Sequence, residues 1–107
     1  MIEENGRKVV ARNRKARHEF EVLDTYEAGI ALKGTEVKSL RNGHIVLKDA
    51  YIDVKQNEMF LNNAHIPPYE QGNQFNHEPE RSRKLLMHKH EIIKIGTRVH
   101  EKGLTLI

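Results

Sequence analysis

The densest chemistry in the chain is Arg12-Asn13-Arg14-Lys15-Ala16-Arg17-His18, which packs four permanent cations, an amide and an imidazole into seven residues. Guanidinium forks suit phosphates, an Asn amide can pair with a base edge, and a His ring can stack on a base. A second cluster, Arg81-x-Arg83-Lys84, runs on to His88-Lys89-His90. The charge is segregated: residues 1–18 carry +4, residues 19–80 carry −6 and residues 81–107 carry +5. A polyanion would be drawn to the two ends if the fold brings them together. The plainer alternative for either cluster is a solvated surface. Together they favour RNA. With three Tyr, three Phe and no Trp, the expected mode is reading of shape and phosphates rather than stacking of many bases.

Catalytic patterns are weaker. Seven histidines invite a metal or acid–base site, and His88-x-His90 would put two rings on one side of a strand, with His65 or His77 joining from a loop. No H-E-x-x-H supports it. Ser39 and Ser82 lie in no nucleophile elbow. Asp49 and Asp53 fit the wet face of a strand better than a carboxylate pair. Gly29, Gly34 and Gly43 are too widely spaced for a phosphate loop. A small hydrolase built on His77, Glu78, His88 and His90 is the catalytic option left. No cofactor is expected.

The elements that must carry these residues are short. Residues 1–12 lack an apolar period and are expected to form a flexible N-terminal arm, and residues 13–107 the domain. Phe20, Val22, Tyr26, Ile30 and Leu32 predict a long bent strand, or two strands joined near Gly29. Thr35 is a candidate cap for a helix that has Glu36 in its first turn and stops at Asn42-Gly43. Val37 and Leu40 would form its inward face. Residues 44–54 and Met59-Phe60-Leu61 predict a hairpin turning at Lys55–Glu58. Residues 65–80 predict a long surface loop. Residues 83–95 fit either one helix or a strand feeding a helix from near His88; Gly96 is expected to interrupt, Thr97 to cap a further turn and Gly103 to end it. Leu104–Ile107 reads as a strand. The sum is a mainly β fold, an antiparallel barrel or sheet with two or three short helices.

The chain is 107 residues long, 37% hydrophobic and 31% charged, with no cysteine and a net charge of +3. That suits one globular domain. It excludes disulfide scaffolds, thiolate metal sites and cysteine nucleophiles. No apolar run approaches the roughly 18 residues that span a bilayer, and Met1-Ile2-Glu3-Glu4 is no secretory signal. The expectation is a soluble cytoplasmic protein without membrane contact.

Several stretches resemble the SsrA-binding protein (SmpB) family. They are Asn13–His18 (NRKARH), Thr25–Arg41 (TYEAGIALKGTEVKSLR), Leu47–Tyr51 (LKDAY), Ile66-x-Pro68-Tyr69, Asn76–Pro79 (NHEP), Arg83–His88 (RKLLMH) and Lys102–Leu106 (KGLTL). The resemblance implies an OB-fold-like antiparallel barrel that binds the tRNA-like end of transfer-messenger RNA, as a monomer on RNA. It then enters the decoding site of a stalled ribosome, where it works by shape and charge and catalyses nothing. It also implies RNA-binding roles for Asn13, Glu27 and Leu86, phosphate contacts for Lys15, Arg17 and Lys84, and a stacking or decoding-centre contact for His18. Gly29, in the same YEAG stretch as Glu27, and His88, in the second basic cluster, are further RNA-binding candidates. On sequence alone, core packing is the commoner fate of a residue like Leu86. The family continues past the position of Ile107 with further strands and a basic tail. The expectation is therefore a truncated chain that keeps part of its RNA binding and loses rescue. The alternative function is a generic OB-like or ribosome-associated RNA-binding module without preference for transfer-messenger RNA.

Overall fold

The computed structural model describes residues 3–4, 7–8, 10–69 and 76–107. In the N-terminal arm, β1 (Glu3–Glu4) and β2 (Arg7–Lys8) pair antiparallel, Glu3 opposite Lys8. Residues 1, 2, 5, 6 and 9 of that arm, and 70–75 of the long loop, lie outside the described residues.

A six-residue helix cannot stand alone in water. Helix α1 (Arg14–Glu19) is held instead by one side chain. Asn13 Oδ1 accepts from the Ala16 N–H at 3.0 Å, capping the helix, while its Nδ2 donates to the Leu47 carbonyl at 2.8 Å. After α1 the expected long strand is absent. Only β3 (Gly29–Ile30) forms, because alternation needs a neighbour to pair with and only these residues reach one. Phe20, Val22 and Leu23, each about half exposed, lie instead along an apolar cleft of about 470 Å³, opposite Ile52, Met59, Leu85 and Ile95.

Helix α2 (Gly34–Arg41) starts one residue before the expected cap. Lys33 is the N-cap, and Glu36 reaches back to its N–H at 2.7 Å. Thr35 lies inside the helix and bonds His77. Asn42 caps the C-terminus and Gly43, at φ 74°, supplies the left-handed residue that ends it. The face turned inward is polar, formed by Glu36 and Ser39, while Val37 and Leu40 are only half-buried.

Strands β4 (Tyr51–Lys55) and β5 (Glu58–Asn62) make a hairpin where one was expected, but the first strand begins only at Tyr51, residues 44–50 holding no more than a bridge at Val46, and the turn narrows to Gln56 and Asn57, both at positive φ. Strand β6 (Arg83–Leu86) completes an antiparallel sheet of order β3-β6-β5-β4. Among the described residues β3 and β4 do not pair, so the sheet is open rather than closed into a barrel. Leu106 gives its carbonyl to Ile52 N–H at 3.2 Å, which is as far as the expected last strand gets.

Helix α3 (Lys89–Lys102) runs unbroken through Gly96. The expected interruption fails because Ile92, Ile95 and Val99 recur at helical spacing and pack on Met59, Leu85 and Val54; that burial outweighs the roughly 1 kcal/mol cost of one mid-helix glycine. His88 is its N-cap and Gly103 ends it in the left-handed region.

Candidate nucleic-acid interface

Side chains alternate across β6. Arg83 and Leu85 point inward and are buried, while Lys84 and Leu86 point out. The inward Arg83 is fully buried and meets Glu36, also fully buried. Glu36 accepts from Arg83 Nε at 2.5 Å and from Arg81 at 3.0 and 2.6 Å. Arg83 also donates to the Ala64 and Pro79 carbonyls, and Arg81 to Ala31 beyond β3. Burial alone would raise the Glu36 pKa, but the Arg81 bonds, the Lys33 N–H and Arg83 bring it down from 4.5 to about 2. This strut ties α2 to β6 and to the end of β3.

The outward Leu86 is 51% exposed, so the core-packing fate does not apply to it. It sits opposite Gly29 across the β3–β6 ladder. A Cβ at Gly29 would come within 3.2 Å of the Leu86 Cβ, so the glycine lets Leu86 lie flat at the sheet edge. Beside this pair is an open groove of about 850 Å³, lined by Tyr26, Glu27, Ala28, Gly29, Leu86, Met87, His88 and Glu91. One wall is the irregular segment before β3; the other is the junction of β6 and α3. His88 stacks on His90 with ring centres 5.7 Å apart. The pair lies at a helix start, not along a strand.

Four sequence-predicted residues, Glu27, Gly29, Leu86 and His88, therefore share one groove. Asn13, Lys15, Arg17 and His18 do not line it. Lys15, Arg17 and His18 are exposed on α1. Lys15 lies 3.8 Å from Asp49, and Asn13 is engaged at both ends of its amide. Lys84 projects from the face that carries Leu86 and pairs with Glu58 at 3.1 Å. Tyr26, Met87 and Glu91 were missed. The two carboxylates among the lining residues make the groove a poor place for phosphates and a good one for N–H donors flanked by apolar surface.

Of the residues of the catalytic option, His77 is committed to the fold. His77 is buried: its Nε2 donates to the Ile66 carbonyl at 2.7 Å, leaving Nδ1 to accept from Thr35 at 2.8 Å. His65 lies against Glu80 at 3.3 Å. Among the described residues no three His, Cys, Asp or Glu side chains are grouped to hold a metal, and no helix is long and apolar enough to cross a membrane.

Fold and groove define a small antiparallel-sheet module, with a helix across its inner face and an open, carboxylate-bearing groove at one edge. The chain belongs to the SmpB protein family, whose profile matches residues 10–107. It is 64% identical over 98 residues to the SsrA-binding protein of Staphylococcus haemolyticus, covering 92% of this chain and 63% of that protein. It is 62% identical over 104 residues to that of Desulforamulus reducens, covering 97% and 65%. A chain of a solved structure described as "tmRNA-SmpB: a journey to the center of the bacterial ribosome" superposes with a TM-score of 0.71 at 53% identity, covering 89% of this chain and 66% of that one. The chain thus spans somewhat less than two-thirds of the length of these curated relatives.

Proposed function

We propose that residues 13–107 form the RNA-binding domain of a ribosome-rescue factor, which binds transfer-messenger RNA (SsrA RNA) and delivers it to stalled ribosomes in the cytoplasm. It binds as a monomer and without catalysis. Family membership supports the partner. The observation that carries the mode of binding is the convergence of Glu27, Gly29, Leu86 and His88 on one groove. In this reading the groove takes base edges and sugars: Glu27 accepts from nucleobase N–H groups and Leu86 packs on a ring or ribose. The exposed cations of α1 and Lys84 take phosphates. Asn13 contributes by fixing α1, since its amide is already engaged.

The test is a gel-shift titration with the labelled tRNA-like domain of transfer-messenger RNA, excess ordinary tRNA as competitor, and Glu27→Ala beside the unaltered chain. Binding that survives the competitor and weakens in the variant is expected. Binding abolished by ordinary tRNA would leave only the generic RNA-binding module. A Glu27→Ala titration matching the unaltered chain would remove the groove from the interface.

A further inference from the structure

The groove wall that carries Glu27 has no regular structure. Residues 21–28 make neither helix nor strand and are exposed throughout. Left to itself such a segment samples many conformations, and a ligand would bear the entropy of ordering it. A contact from α3 acts against this. Arg98, two and a half turns into α3, donates from Nη1 to the Tyr26 hydroxyl at 3.1 Å and forms an ion pair with Asp24. The guanidinium therefore grips the segment at two residues, just before Glu27. The opposite wall, at His88 and Glu91, is the start of the same helix. Both walls are thus referred to one rigid element. The hydrogen bonds to Asp24 and Tyr26 also raise the Arg98 pKa above its ordinary value.

We propose that Arg98 is a positioning residue for the RNA groove: it touches no RNA, and it presets the Glu27 wall by clamping Asp24 and Tyr26 to α3. This rests on the groove being the RNA site.

The same gel shift tests it, with Arg98→Ala, Asp24→Ala and their double variant, each titrated at several salt concentrations. The expected result is a loss of about tenfold for either single variant, the size expected when binding must itself order one or two residues. The double variant should lose no more than either single one, and all should keep the salt slope of the unaltered chain. The sign for Asp24→Ala is decisive, because removing a carboxylate would by charge alone tighten binding to a polyanion. If Arg98 contacted a phosphate, Arg98→Ala would flatten the log K against log salt slope by about 0.7–0.9 and Asp24→Ala would be neutral or tighter. That pattern overturns the proposal, as does wild-type affinity in both variants. Should Arg98→Ala fail to fold, Tyr26→Phe deletes only the gripped hydroxyl and should lose about threefold; an unchanged affinity would equally overturn the inference. Glu27→Ala separates the two levels. If it binds like the unaltered chain the groove itself is wrong; if it weakens while the clip variants do not, only the clip is wrong.

Discussion

Replacing Glu36 by Gln tests the strut that sets the β3–β6 edge. The amide keeps the shape and one acceptor, but it loses the charge and turns an NH2 group toward a donor. Arg83, with no exposed surface, then has no counter-ion. Two independent routes give the size. Breaking one side of a buried pair costs about 3–5 kcal/mol. A carboxyl held at about 2 in the fold, against 4.5 unfolded, contributes about 3 kcal/mol at neutral pH. With a urea slope of about 1–2 kcal/mol/M for a small domain, the unfolding midpoint should fall by about 1.5–3 M. The pH dependence has a definite sign. The folded pKa lies below the unfolded one, so the stabilisation is fully present above about pH 4.5 and is lost as the pH falls toward 2. The gap between the two proteins should therefore be wide at pH 7 and close progressively below pH 4.5. Equal urea midpoints at pH 7, or a gap that does not change between pH 5 and pH 2, would refute the reasoning.

Leu86→Ala should cost about 1 kcal/mol or less, since the side chain is half exposed, yet weaken the gel shift markedly; a loss of 2–5 kcal/mol in urea would mean a core residue instead. Asn13→Ala should cost about 1–2 kcal/mol for the cap and weaken RNA binding with it, whereas Asn13→Asp, which retains the capping oxygen but turns a second carboxylate oxygen toward the Leu47 carbonyl that Nδ2 now bonds, should restore only part of the stability lost in urea.

The hairpin was legible because β4 and β5 are joined by a two-residue turn, so pattern and partner are adjacent in the sequence. The ends of α2 were nearly legible for the same reason: Glu36, Asn42 and Gly43 act within a turn of where they stand. Phe20–Leu32 failed because alternation records two unlike faces and says nothing of whether a strand lies alongside. The inward face of α2 failed because its burial is balanced by Arg81 and Arg83, 45 and 47 residues away in the chain. The groove has a similar history. Charge reasoning alone led to the basic arm and Lys84. Of the groove residues only His88 falls in a basic cluster; Glu27, Gly29 and Leu86 lie in stretches that carry the family resemblance, and nothing in their composition marks a site with Glu27 and Glu91 in its lining as one for RNA.

The edge of this sheet is set by arginine twice, and burial separates the two uses. Arg83 is enclosed with Glu36, and each of its three side-chain nitrogens is committed. Removing its partner leaves a charge with no water to turn to, and the whole fold bears the cost. Arg98 and Asp24 are each about 40% exposed. Water replaces whatever is lost there, so the pair adds little to global stability. What the exposed pair can still do is narrow the conformations of a segment that is neither helix nor strand, and that shows only when a ligand needs the segment in place. The two arginines should therefore separate in experiment. Breaking the buried pair moves the urea midpoint first and RNA binding through it. Breaking the exposed pair moves RNA binding by about tenfold while the urea midpoint barely moves. If instead both perturbations shifted stability and affinity in the same proportion, the distinction between strut and clip would collapse, and the groove would be a passive consequence of folding.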